Sequence, residues 1–156
     1  MRKHFTLYLI LALIGFYFIR YRVTPGMQAD EITIRPEQPT QLTTVYKGPI
    51  LVNFYAAWCG ECMAEMAELE AASKKAGFTF VGVTDDDLSR IDMVRQRFSI
   101  TFPLEKLETS LKDYGVHTIP TTFLFDANGR EVESWIGAQP WSNDDFLNKM
   151  KTKLSE

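Results

Sequence analysis

The feature that most limits how this chain can fold is the apolar run Ile50-Leu51-Val52-Asn53-Phe54-Tyr55-Ala56, followed almost at once by Cys59-Gly60-Glu61-Cys62. A short, nearly unbroken apolar run fits a strand covered on both faces. The residues behind the pair, Met63 to Ala76, have helical composition and stop at Gly77. The two cysteines therefore stand where a strand gives way to a helix, which is where open α/β sheets place their sites.

The remaining pattern repeats this alternation. Phe78 to Val83 reads as a second buried strand, and Asp86 or Asp87 can cap a helix carrying Leu88, Ile91, Val94 and Phe98. Phe102-Pro103-Leu104 suits a short strand, and a brief helix is expected to end at Gly115. Thr121 to Phe125, the turn Asp126-Ala127-Asn128-Gly129, and Glu131 to Ile136 form a β-hairpin pattern. Ser142 is placed to cap a last helix that buries Phe146, Leu147, Met150 and Leu154. Strands alternating with helices, then a hairpin and a terminal helix, predict an α/β sheet of mixed direction.

Two further segments precede this domain, which is expected over 47–156. Met1-Arg2-Lys3-His4 is basic, and Phe5 to Ile19 carries no charge over 15 residues. That is short of the ~20 residues of a spanning helix, but Tyr21 and Val23 extend it if Arg20 and Arg22 snorkel. No small-residue cleavage site follows, so residues 1–23 are expected to be an uncleaved anchor rather than a cleaved signal. No polar stripe breaks the run, which disfavours a buried soluble helix. Arg2 and Lys3 favour an N-terminus in the cytoplasm, although Arg20 and Arg22 pull the other way. Residues 24–46, with Pro25, Gly26, Pro36 and Pro39, read as a tether in which Ile32 and Ile34 can form a short edge strand.

Composition narrows the chemistry. A net charge of −3 argues against a nucleic-acid partner. Two cysteines cannot build a secreted disulfide scaffold, and with His4 and His117 as the sole histidines they make a poor structural zinc site. Asp85-Asp86-Asp87 lacks the spacing of a calcium loop and is read as acids at a helix start. Redox chemistry or transient metal binding is left for the pair, with no resident metal expected.

Disulfide exchange needs a thiolate, and a helix N-terminus stabilises one. Cys59, at that start, is the expected nucleophile, and Cys62, one turn on, is the resolving thiol. Trp58 is either a core aromatic or a shield beside the sulfur. Glu61 places a carboxylate near Cys59, which opposes thiolate formation and tilts the pair towards donating electrons, unless its side chain points into water. At about 100° per residue, Glu65 falls inside the apolar arc of Cys62, Met66, Leu69, Ala72 and Ala76. Glu61, Glu68, Glu70 and Lys74 fall outside it. A carboxylate on the buried face has a raised pKa and can take the proton of the resolving thiol, unless it escapes to solvent at the helix's first turns.

At Trp58-Cys59-Gly60-Glu61-Cys62 and Ile119-Pro120-Thr121, supported by Val52 to Ala57, Tyr114-Gly115-Val116 and Asp126 to Gly129, the sequence resembles the thioredoxin superfamily. More narrowly it resembles the TlpA/ResA-like membrane-anchored thiol–disulfide oxidoreductases. The resemblance implies a thioredoxin-like three-layer fold, a central mixed sheet flanked by helices, with a βαβ insertion from Asp85 to Arg97 and the strand after it. It also implies that Pro120 is a cis-proline facing the disulfide and that the Ile119 backbone pairs with an extended substrate. Trp58, Gly60 and Glu61 would border that substrate. Asn53 stands where cytosolic thioredoxins carry a buried acid, and Glu65 matches the acid of members dedicated to cytochrome c maturation. Glu61 and Met63 depart from the common proline and basic residue at their positions, and the N-terminal hairpin looks abbreviated.

The expectation is thus an extracytoplasmic reductase of protein disulfides, with an apocytochrome c as an example substrate. No flavin or nicotinamide fingerprint is present, so no cofactor beyond the disulfide is expected and electrons would come from a membrane-embedded donor. Two alternatives stay open: a copper-binding assembly chaperone using Cys59, Cys62 and His117, since thiolates suit Cu(I), and a disulfide oxidase, which differs in poise alone. His117 also reads as a plain exposed loop histidine.

Overall fold

The computed structural model describes residues 26–155. A five-stranded sheet forms the middle layer, in the order β5-β4-β3-β6-β7. Its strands are β3 (Ile50–Phe54), β4 (Thr79–Thr84), β5 (Leu104–Lys106), β6 (Thr121–Phe125) and β7 (Glu131–Ile136). β1 (Thr33–Ile34) and β2 (Thr40–Gln41) pair separately as a small antiparallel hairpin. β3, β4 and β5 run parallel, whereas β6 is antiparallel to β3 and β7 to β6. The helices are α1 (Leu42–Val45), α2 (Gly60–Ala76), α3 (Leu88–Phe98) and α4 (Asp144–Leu154). This is the mixed sheet that the sequence pattern predicts, in the thioredoxin-like form that the resemblance implies, and α3 with β5 falls where the resemblance places the insertion.

The central strand is apolar on both faces because both are covered. Leu51 joins the cluster of Met66, Leu69, Ile91, Val94, Leu147 and Met150, contributed by α2, α3 and α4. Ile50, Val52 and Phe54 alternate to the other face, where they meet Ile32, Ile34, Leu42, Leu107, Leu111 and Val116. Gly82 lets β5 approach, since a Cβ there would stand 2.5 Å from Leu104 Cδ2 and 3.2 Å from Tyr55 Cε1.

That second face corrects the expected tether. Residues 27–46 belong to the domain: Ala29, Ile32, Ile34 and Leu42 are wholly buried. The segment is stitched across the sheet by Ala29 N donating to Gly129 O (2.9 Å), Arg35 N to Lys106 O (2.8 Å) and Glu108 N to Thr33 O (2.9 Å). The Arg35 guanidinium grips Glu105 at 2.6 Å, and the Tyr46 hydroxyl donates to the same carboxylate. Burial pushes the Glu105 carboxyl up, but these two hydrogen bonds outweigh it and hold its pKa below the ordinary value. The prolines and Gly26 mimic a linker in composition, while four apolar side chains at core positions decide the outcome.

Smaller differences have local causes. α2 begins at Gly60, ahead of the stretch Met63 to Ala76 read as helical by composition, with Cys59 as its N-cap at the helix start where the nucleophile is expected. Asn143, not Ser142, caps α4 by accepting from Asp145 N and Phe146 N. Glu70, expected on the outer side of α2, is buried, because Thr101 donates to it through both its amide (2.8 Å) and hydroxyl (2.6 Å). The anchor expected over residues 1–23 lies outside the described residues; among these, no helix is long and apolar enough to cross a membrane.

Candidate active site

β3 delivers the chain to the site and α2 carries it away. Cys59 and Cys62 form a disulfide with Cα atoms 5.3 Å apart. Cys59 Sγ, at the N-cap, accepts a hydrogen bond from Cys62 N at 3.1 Å, which is the free N–H arrangement that stabilises a thiolate. The Ile119 carbonyl oxygen lies 3.8 Å from the same sulfur and opposes a charge there. The Ile119–Pro120 peptide bond is cis, and the Ile119 carbonyl contact sets this bond beside Cys59. Cys62 is fully enclosed, whereas Cys59 keeps 7% of its surface open.

Trp58 is 71% exposed, so it is not a core aromatic. Ile136, 72% exposed, follows as the last residue of the strand that pairs with β6 at Thr121. Glu61 does not simply point into water: its Oε1 accepts from Ala138 N at 3.2 Å. Gly60 is exposed, and no atom lies within 4 Å of where its Cβ would be. His117 is exposed in a cleft beside Thr118 and Ile136.

Glu65 is only 4% exposed, as the arc of α2 predicts. Asn53 Nδ2 donates to its Oε1 at 3.1 Å and to Thr122 Oγ1 at 2.9 Å. Its Oε2 accepts from Trp141 Nε1 at 2.6 Å and from Gln139 N at 3.4 Å. Burial pushes the Glu65 carboxyl above its ordinary pKa. The hydrogen bonds from Trp141, Asn53 and Gln139 pull it back, and the Glu61 charge adds to the upward push. A carboxylate of raised basicity, one helical turn behind an enclosed thiol, is a fitting proton acceptor for it.

Two site residues escape sequence reading. Trp141 looks like any packing aromatic, although a buried indole N–H needs an acceptor and Glu65 was the buried acid available. The aspartates Asp85 to Asp87 look like a charge run, yet each does separate work. Asp87 caps α3 by accepting from Arg90 N (3.0 Å), and Asp85 accepts from Leu111 N (3.1 Å). Asp86 is buried and accepts from Ala57 N at 2.6 Å, fixing the turn that presents Trp58 and Cys59. Asp86→Ala is expected to cost about 2 kcal/mol, because it strands the Ala57 N–H without an acceptor. Urea unfolding of the oxidised protein checks this, and exchange should also slow as the turn loosens.

A disulfide at a helix start, with one sulfur reachable and the other enclosed beside a buried acid, is built to trade electrons with other sulfur pairs. The chain is a thiol–disulfide oxidoreductase of the thioredoxin fold, and its substrates are accordingly proteins bearing disulfides. The AhpC/TSA family model matches residues 25–132. The thiol-disulfide oxidoreductase ResA of Geobacillus thermodenitrificans is 30% identical over 138 residues, covering 80% of this chain and 79% of that protein. Among solved structures, a putative thiol:disulfide interchange protein DsbE from Chlorobium tepidum superposes with a TM-score of 0.65 at 23% identity, covering 83% of this chain and 97% of that one. StoA from Bacillus subtilis gives 0.59 at 19%, covering 77% and 94%. The chain belongs to the AhpC/TSA family and, within it, to the ResA/TlpA-like oxidoreductases.

Proposed function

We propose that this chain is an extracytoplasmic reductase of protein disulfides, tethered by its N-terminal apolar segment. An apocytochrome c carrying a haem-binding Cys-x-x-Cys-His is an example substrate, on the strength of the family resemblance. In the reduced protein the Cys59 thiolate attacks a substrate disulfide. One substrate sulfur leaves as a thiolate and takes up a proton, and a mixed disulfide forms. Cys62 passes its proton to Glu65 and attacks Cys59 Sγ, so the second substrate thiol leaves and the Cys59–Cys62 disulfide closes. Two electrons have then moved to the substrate, and a membrane-embedded donor must return two to the pair. Trp58, Gly60, Glu61, Ile119 and Pro120 border the substrate.

The observation that carries this reading is the buried Glu65 carboxylate one turn behind the enclosed Cys62. What surrounds Cys59 supports the direction. Cys62 N favours its thiolate, while the Ile119 carbonyl and the nearby Glu61 charge work against it, so the reduced form is not held as firmly as in a strong oxidant. The uncharged run from Phe5 to Ile19 behind Arg2 and Lys3 supports export. The reduction potential of the Cys59–Cys62 pair, equilibrated against glutathione or dithiothreitol buffers, tests the direction. A value at or below about −250 mV is expected, near that of thioredoxin. A value near about −120 mV, that of a strong oxidant such as DsbA, would reverse the direction and leave the chemistry standing.

A further inference from the structure

Behind the disulfide, the segment Gly137–Trp141 crosses back from β7 over the first turns of α2. Gly137 N donates to Pro120 O at 2.8 Å, Ala138 N to Glu61 Oε1 at 3.2 Å and Gln139 N to Glu65 Oε2 at 3.4 Å. Trp141 Nε1 donates to that same Oε2 at 2.6 Å, the shortest of these contacts. Trp141 has no exposed surface, and its ring meets Trp135 (6.3 Å between centroids) and Phe146 (5.5 Å) edge-on. From the sheet side, Asn53 holds the other carboxylate oxygen. Glu65 is thus held from two sides, by Asn53 on β3 and by Gln139 and Trp141 on the crossing segment.

We propose that Trp141 is a positioning residue of the exchange reaction, whose indole N–H pins Glu65 behind Cys62 and governs how readily that carboxylate accepts the resolving thiol's proton. This rests on reading Glu65 as the proton acceptor. A donor aimed at a carboxylate favours its charged form, against the burial that disfavours it. Around Glu65, β3 and β6 contribute the uncharged Asn53 and Thr122, and the crossing segment contributes N–H donors. Besides the two cysteines, Glu61 on α2 is the charged neighbour that bears on it. Taking away the indole N–H leaves Oε2 with the long Gln139 contact, so Glu65 must ionise at higher pH.

The test follows, in the full chain, the closing of Cys59–Cys62 from its glutathione mixed disulfide as a function of pH. Trp141→Phe keeps the aromatic packing and is expected to move the midpoint up by about one pH unit, a tenfold change in the ionised fraction below it. Phe146→Leu disturbs the same aromatic cluster without touching Glu65 and should leave the midpoint in place. Glu65→Gln should abolish this ionisation. It is accommodated because Asn53 Oδ1 has no partner among the described residues and can turn to meet the new amide. In the native chain the indole N–H resonance of Trp141 should shift through the same midpoint, a readout that does not depend on the variant folding. An unmoved midpoint in Trp141→Phe, an equal shift in Phe146→Leu, or a pH-independent indole signal overturns the positioning role while Glu65 stands. A native midpoint surviving in Glu65→Gln removes Glu65 as acceptor, and the role of Trp141 with it.

Discussion

A Cys62→Ser chain will react with one equivalent of oxidised glutathione, keep one glutathionyl group as a stable mixed disulfide on Cys59, release the other as glutathione, and then stop. Cys59 keeps the N-cap site and its reachable sulfur, so the first attack proceeds. The second attack normally comes from a thiol held one helical turn away, and intramolecular placement of that kind corresponds to effective concentrations of about 10⁵ M or more. An external thiol at millimolar concentration cannot match it, so turnover should fall on the order of 10³-fold or further. Cys59→Ser should behave differently, forming no adduct, because Cys62 has no exposed surface. Mass spectrometry of the two variants after a brief exposure reads both results. An adduct on Cys59→Ser rather than on Cys62→Ser would reverse the assigned order of nucleophile and resolving thiol.

What could be read from the sequence was what depends on neighbours along the chain. The run from Ile50 had to be a strand covered on both faces, and the helix behind the pair had to stop at Gly77, which takes a left-handed conformation at φ 77°. The hairpin Thr121–Phe125 with Glu131–Ile136 falls on its expected residues. Glu65 was legible because one helix supplies its own arc of burial. What was not legible depends on partners far away in sequence. Trp141 lies 76 residues from Glu65, Ala57 lies 29 from Asp86, and Thr101 lies 31 from Glu70. Nothing local separates a packing tryptophan from one whose N–H meets a carboxylate. The aspartate run shows the same limit, since three adjacent identical side chains serve α3, the Cys59 turn and the Leu111 turn.

The same distinction sets the second large effect, the consequence of deleting residues read from composition as a tether. A chain beginning at Lys47 is expected not to fold, whereas one beginning at Gly26 keeps every contact described here. Ile32, Ile34 and Leu42 are wholly buried against Ile50, Val52 and Phe54 on the central strand. Burying each such side chain stabilises by about 1.5–3 kcal/mol, so losing three forfeits roughly 5–9 kcal/mol. Whole domains are stable by only about 5–15 kcal/mol, and the deletion also exposes one face of the sheet and frees Glu105 from Arg35. Far-ultraviolet circular dichroism and urea unfolding of the two truncated chains, both oxidised, decide the matter. A cooperative transition in the Lys47 chain within about 2 kcal/mol of the longer one would mean that the N-terminal segment only decorates a self-sufficient sheet. If it fails to fold as expected, the redox site depends on residues that carry none of its chemistry. The segment from Met27 to Tyr46 backs the strand that aims Asn53 at Glu65 and leads into the turn that presents Cys59.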